Sequence, residues 1–211
     1  MHSKDSDFPS ARYWEARYSQ GGNSGAGSYN RLAAFKAEII NAFVADNAID
    51  SVVEFGAGDG NQLSLYSFPR YTGFDVSPTV VEHLKTRFAG DPTKHFFHTA
   101  EFSGQTATLA LSVDVIFHLI EDPAYERYMH DLFAAATRNV IIYSSNWNGD
   151  ERYFASPAHH VRHRKFTTWT ARHATGWKCF RHIPNKYPPQ EMQSGTDTSF
   201  CDFYFFEKTG E

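Results

Sequence analysis

Three glycines and two acids, in "SVVEFGAGDGNQL" and "GFDVSP", are the residues of this chain best suited to hold a small ligand. Gly56, Gly58 and Gly60 alternate directly behind an apolar run. Glu54 stands two residues before the first of them, and Asp75 follows Glu54 by 21 residues. Glycine weakens a strand or helix interior, because it loses more conformational freedom on folding than other residues. Three of them in five positions mark either a flexible turn or a place where a ligand lies against bare backbone. The acids give such a turn its chemistry. One carboxylate can meet an ammonium group, and the other can accept both hydroxyls of a ribose. Farther along, His118 has the side chain of a general base near neutral pH.

These residues need a scaffold, and the periodicity supplies one. "RLAAFKAEIINAFVADN" carries Leu32, Phe35, Ile39, Ile40, Phe43 and Val44, the apolar stripe of an amphipathic helix. "SVVEF" and "YTGFDV" read as strands, and "SPTVVEHLKTRF" as a helix with Ser77 as N-cap and Pro78 in its first position. "KHFFHTAEF" and "ATLALSVDVIFHL" are a third and a fourth strand, the latter running into a loop. "DPAYERYMHDLFAAATR" is a helix capped by Asp122, and "NVIIYSS" a fifth strand. "RKFTTWTARHATG" is a short helix ending at Gly176. "WKCFRHI" and "SFCDFYFFEKT" are two aromatic strands with no helix between them. Alternation of strands and helices predicts a doubly wound α/β fold: a mostly parallel seven-stranded sheet with a C-terminal antiparallel hairpin. Ligands of such sheets bind beyond the carboxyl ends of the strands, where the glycines fall.

The chain of 211 residues fits one domain, 1–211, with the Gly/Ser/Asn-rich segment "SQGGNSGAGSYN" as a mobile loop. No apolar run reaches membrane-span length. The N-terminus lacks the apolar core of a signal peptide. Cys179 and Cys201 form no CxxC pair, so neither a zinc site nor a disulfide framework is expected, and a reduced, cytoplasmic protein is. Net charge is only −4, but it is lopsided. No Asp or Glu occurs between Glu151 and Glu191, where Arg152, Arg162, Arg164, Lys165, Arg172, Lys178, Arg181 and Lys186 lie with five of the 11 histidines. A positive field of this kind attracts anions.

The spacing of the glycines is G-x-G-x-G, not the G-x-G-x-x-G of a dinucleotide site. S-adenosyl-L-methionine has no phosphate to cradle, and its ammonium and ribose suit the two acids. "VVEFGAGDG", "GFDVSP" and "LSVDVIFHL" resemble motifs I, II and IV of the class I S-adenosylmethionine-dependent methyltransferases of the small-molecule type, over about residues 10–208. The resemblance implies the Rossmann-like methyltransferase fold, S-adenosyl-L-methionine as cofactor and S-adenosyl-L-homocysteine as product. It assigns Gly56, Ala57, Gly58 and Gly60 to the methionine moiety, with Glu54 beside its ammonium. It assigns Asp75 and Val76 to ribose and adenine, Ala100 and Glu101 to the adenine edge, and Ser112, Val113 and Asp114 to the neighbourhood of the reacting methyl. "YWEARY" resembles an opening segment in which Trp14 and Arg17 cover the methionine end, so that residues 1–30 form a lid.

Methyl transfer is a displacement at a sulfonium, and its main demand on the protein is placement. A base is needed only where the acceptor must lose a proton, and His118 and Asp114 are the candidates. The fifth strand ends in "YSSNW" without an acid, so no metal is expected. Asn146, His160, Arg162, His163 and Arg164, at and beyond that strand's end, are candidates to bind an anionic small-molecule acceptor through bidentate contacts. The expected function is O-methylation of a sugar, glycan or carboxylated metabolite, with no membrane and no nucleic acid as partner. The alternatives are an RNA methyltransferase and a non-catalytic S-adenosylmethionine-binding regulator. A nicotinamide dehydrogenase is disfavoured by the glycine spacing.

Overall fold

The computed structural model describes residues 10–148, 158–189 and 197–210. One seven-stranded sheet runs in the order β3-β2-β1-β4-β5-β7-β6. The strands are β1 (Val52–Phe55), β2 (Tyr71–Asp75), β3 (Lys94–His98), β4 (Ala107–Val113), β5 (Ala136–Ser144), β6 (Trp177–Ile183) and β7 (Asp202–Lys208). The helices are α1 (Ser10–Ser19), α2 (Asn30–Asp46), α3 (Pro78–Arg87), α4 (Asp122–Ala134) and α5 (Phe166–His173). β1 through β5 pair in parallel, and β7 runs antiparallel to both of its neighbours.

β1 is buried along its whole length, as a central parallel strand covered on both faces must be. Its alternation splits the core in two. Val52 packs with Phe35, Ile40, Phe43 and Leu84 from α2 and α3 on one face. Val53 and Phe55 pack with Tyr125, Met129, Phe133 and Trp169 from α4 and α5 on the other. Glu54 alternates with Val53 and Phe55, and so faces the α2 side. The switch point lies between β1 and β4, where the chain leaves the sheet in opposite directions and the carboxyl ends open a crevice.

Several expected boundaries shift. The helix expected to run to Arg138 ends at Ala134, and Ala136, Thr137 and Arg138 open β5 instead, where Ala136 pairs with Ala107. Asp122 is not the cap of α4 but its first helical residue, and the cap position falls to Glu121. The Asp122 carboxylate is drawn away to two arginines, and Glu121 instead accepts hydrogen bonds from the Ser10 backbone amide (2.8 Å) and hydroxyl (2.5 Å), anchoring α1. β3 stops at His98, because a capping box closes the next turn: Glu101 accepts from the His98 amide and the His98 ring from Ala100. Ser77 caps α3 as expected, its hydroxyl accepting from Val80.

Candidate active site

A cavity of about 540 Å³ opens at the switch point, lined by the glycine turn, the ends of β2 and β4, and α1. Gly56 and Gly58 have φ of +89° and +59°, the left-handed region that glycine enters without steric cost. A Cβ on Gly56 would strike Val115, and one on Gly58 would strike the Ser24 hydroxyl. The missing side chains therefore let Val115 and Ser24 close directly against the turn at the cavity wall. Gly60 shares the left-handed backbone, with φ of +76°, and is a glycine for a second reason as well. A Cβ there would come within 2.6 Å of Leu84 and 2.9 Å of Phe88, so its smallness seats α3.

Trp14, Glu54, Gly56, Ala57, Gly58, Val76, Ala100, Val113, Asp114 and His118 line this cavity together. Asp75 stands directly behind its wall. One carboxylate oxygen accepts from the Gly58 amide (2.9 Å) and the other from Ser77 (3.0 Å). Burial raises its pKa even so. Glu101 is spent on the turn after β3, and Ser112 is buried with its hydroxyl 2.7 Å from the Tyr128 phenol. Arg17 bonds the Asn23 carbonyl (2.6 Å), fixing the 20–25 loop rather than lining the cavity.

That loop is latched to the glycine turn through Asp59. Its carboxylate accepts from the Ser24 amide (2.8 Å) and the Tyr29 phenol (2.7 Å), while the Asp59 amide donates to the Ser24 hydroxyl (2.8 Å). Burial pushes the Asp59 carboxyl up, but the hydrogen bonds from Ser24, Asn61 and Tyr29 outweigh it and hold the pKa below its usual value. Residues 1–9 of the expected lid lie outside the described residues.

Asp114, on the cavity wall, is held by a residue that the sequence reading missed. Lys36, fully buried on α2, reaches the Asp114 carboxylate at 2.5 Å. It occupies the apolar stripe, four residues after Leu32 and four before Ile40, and that position was the available signal. Asp114 itself has φ +59° at the end of β4, a conformation that Asp tolerates better than most residues. Gln62 was missed as well. Its amide nitrogen donates to the Ala33 carbonyl (3.0 Å), but its buried Oε1 has no hydrogen-bond partner and it lines the cavity. An orphaned acceptor beside Glu54 fits a donor such as an ammonium group.

Glu54 is buried, accepts from the Tyr71 phenol (2.6 Å), and has its pKa pushed up to about 7, chiefly by burial. A cationic ligand group beside it would favour the carboxylate form. Binding then releases a proton wherever the free protein holds Glu54 protonated. S-adenosylmethionine affinity is expected to fall as pH drops below about 7, by up to about tenfold per unit. Calorimetry between pH 5.5 and 8 in two buffers of different ionisation heat reads both effects, and Glu54→Gln should flatten them. A pH-independent affinity with no proton release would place the ammonium elsewhere.

His118 sits in a stack of rings, edge-on to Trp14 (4.9 Å between centroids) and parallel to His160 (5.3 Å), which in turn stacks on Tyr13 (4.6 Å). The His160 carbonyl, 2.8 Å from Nδ1, can only accept, so Nδ1 carries the proton and Nε2 holds a lone pair. Burial pushes the His118 pKa down to about 4, leaving the ring neutral at physiological pH.

The remaining acceptor candidates are assembled elsewhere. Asn146 accepts from the Thr167 amide (3.2 Å) and hydroxyl (3.0 Å), closing the start of α5. His163 bonds Ser145 (2.8 Å) and stacks on Trp147. Arg162 and Arg164 both grip Asp122 (3.0 and 2.9 Å) and the Ile120 carbonyl (2.7 and 2.9 Å). They hold the loop that carries His118 from its far side, in a separate groove. Arg152 lies outside the described residues. Among the described residues, no group of three His, Cys, Asp or Glu side chains is placed to hold a metal, and no helix is long and apolar enough to cross a membrane.

Comparison with known proteins agrees with this geometry. A family model described as a methyltransferase domain matches residues 28–194. No curated protein matches the sequence. Among solved structures, the N-methyltransferase NodS from Bradyrhizobium japonicum with bound S-adenosylhomocysteine superposes with a TM-score of 0.68 at 12% identity, covering 94% of this chain and 98% of that one. The magnesium protoporphyrin IX methyltransferase ChlM from Synechocystis, also with bound S-adenosylhomocysteine, gives 0.64 at 13% identity, with coverage of 94% and 98%. The methyltransferase domain of bacterial CtHen1 gives 0.62 at 21% identity, covering 83% and 97%. These likenesses establish the fold, and the family match spans most of the chain. The glycine turn borders a cavity at the switch point, where sheets of this kind take their ligands, and the chain belongs to the class I S-adenosylmethionine-dependent methyltransferases.

Proposed function

We propose that the protein methylates an oxygen of a small, polar, anionic acceptor. The observation that carries this reading is His118: a neutral imidazole on the cavity wall, with its tautomer fixed by the His160 carbonyl and Nε2 left to accept a proton. The cofactor supplies a methyl group on a sulfonium, which departs as a neutral thioether. Gly56 and Gly58 let it lie against backbone, Glu54 and Gln62 meet its ammonium end, and Val76 and Ala100 border its adenosine end. Asp75, expected at the ribose, instead supports the turn from behind through Gly58. The latched segment before α2, with Trp14 and Tyr18, keeps water from the reacting carbon. As the acceptor oxygen takes the methyl, its proton passes to His118 Nε2.

In this reading the chain is a single domain with residues 1–30 as its lid. Arg162 and Arg164, in the groove on the far side of the loop that carries His118, supply a positive field for the acceptor's anionic group. Cys179 and Cys201, both free thiols, support a reducing, cytoplasmic setting.

The test is a mass-spectrometric screen of sugar phosphates, glycans and carboxylated metabolites with S-adenosylmethionine. The expected product carries one methyl on oxygen, with one S-adenosylhomocysteine formed per methyl. Methylation confined to nitrogen, or to uncharged acceptors, would overturn the reading.

A further inference from the structure

Behind the loop that carries His118 lies a second groove, of about 760 Å³, between the start of α4 and the whole of α5. It shares no lining residue with the cofactor cavity: Ile120 faces it, while Leu119 and Glu121 face the cavity. Four cationic side chains converge on it, Arg162, Arg164, Lys165 and Arg172, with His159 and His173. The acids that oppose them are few and already engaged. Asp122 is shared by Arg162 and Arg164, and Glu126 accepts from the Trp169 indole (2.5 Å). Among the described residues, Lys165 and Arg172 have no ion pair.

The two arginines are preorganised. The Arg164 guanidinium is pinned by the Leu119 and Ile120 carbonyls and by Asp122, and lies 4.6 Å above the Tyr125 ring. Arg162 is pinned by Ile120 and Asp122. A guanidinium held in place gives up little side-chain entropy on meeting an anion. Four cations against Asp122 and Glu126 leave the groove, among the described residues, with two units of positive charge in excess. A carboxylate would neutralise one unit of that excess. A phosphate, with a charge of about −1.5 to −2 and three acceptor oxygens, matches it better.

We infer that this groove is a phosphate site for a small ligand, in which the phosphoryl group of the acceptor docks on one side of the 119–122 loop while its hydroxyl is presented on the other. The inference rests on the proposed anionic acceptor only for the source of the phosphate. The groove itself can be tested without any acceptor.

Calorimetry with pyrophosphate as the probe, on the full chain, should give a one-to-one isotherm whether or not S-adenosylhomocysteine is present. Lys165→Gln with Arg172→Gln, neither of which touches the cofactor cavity, should weaken pyrophosphate binding by about tenfold to a hundredfold. The affinity for S-adenosylhomocysteine should stay unchanged, which also reports that the variant is folded. No pyrophosphate binding, or binding indifferent to the double substitution, would overturn the site. A parallel arm uses a ten-residue single-stranded oligonucleotide between 50 and 200 mM salt. Binding that falls steeply with salt through counterion release, and that pyrophosphate does not displace, would overturn a small-ligand site in favour of a polymer surface. If pyrophosphate binds as expected while every phosphorylated acceptor fails in turnover, the site stands and the acceptor reading alone fails.

Discussion

Replacing His118 with alanine is expected to lower kcat by about 10²–10⁴ and to leave S-adenosylmethionine affinity nearly unchanged, the signature of a lost general base. The argument runs through the tautomer. With Nδ1 donating to the His160 carbonyl, Nε2 is the only ring atom able to take a proton. Burial, by lowering the pKa to about 4, keeps that lone pair available throughout the neutral range. The sign of the pH dependence follows. Activity needs the unprotonated ring, so at saturating cofactor the acid limb of kcat should appear near pH 4 and not near the ordinary imidazole value of about 6.5. Steady-state kinetics on wild type and variant check both points. A variant with normal kcat would reduce His118 to a packing ring between Trp14 and His160.

Lys36→Met should be the most damaging single change to stability outside the apolar core. Removing the buried lysine leaves the Asp114 carboxylate, 17% exposed, without its cation, at a cost of up to about 3–5 kcal/mol, the figure for a fully buried pair. For a chain of this size that corresponds to a fall in Tm of roughly 6–20 °C. Methionine fills much of the space of the lysine stem, so the loss would report charge more than volume. Adding Asp114→Asn to Lys36→Met should recover a substantial part, because it removes the stranded carboxylate. Thermal unfolding of the two single variants and the double variant forms the cycle. A single-variant loss below about 1 kcal/mol would show that Asp114 is held by its other neighbours and not by the 2.5 Å contact.

The scaffold was legible because its signals are local. Periodicity of apolar residues, the Ser77–Pro78 cap and the glycine turn each act within a few residues, and all appear where the sequence places them. Part of the lining of the switch-point cavity was legible for the same reason, since Glu54 to Gly58, Val76, Val113 and Asp114 follow one another at the ends of β1, β2 and β4, whereas Arg17, Gly60, Asp75, Glu101 and Ser112 turn out to support it from outside. What failed to show were pairings across the fold. Arg162 and Arg164 looked free because their partner, Asp122, lies 40 and 42 residues away. Asp122 in turn looked like a helix cap until those arginines claimed it. Lys36 was hidden by its surroundings: one lysine on an apolar stripe reads as a solvent-facing exception, and only the fold brings Asp114, 78 residues on, to its ammonium. The Asp59 latch is of the same kind, joining Ser24 to a turn 35 residues later.

The place of β7 in the sheet bears on how the chain assembles. β7 is made after β6 yet lies between β6 and β5, pairing Asn139 with Glu207 and Trp177 with Lys208. During synthesis β6 therefore has no partner to join until β7 emerges, and the edge of β5 stays open for the whole of that interval. The delay is long, because the β5–β7 pairing spans most of 70 residues and such non-local closures are slow. Phe203, Phe205 and Phe206, which end fully inside the molecule, are all made after β6. A stall between β6 and β7 would leave a five-stranded sheet with the edge of β5 unpaired, an open edge of the kind that invites aggregation.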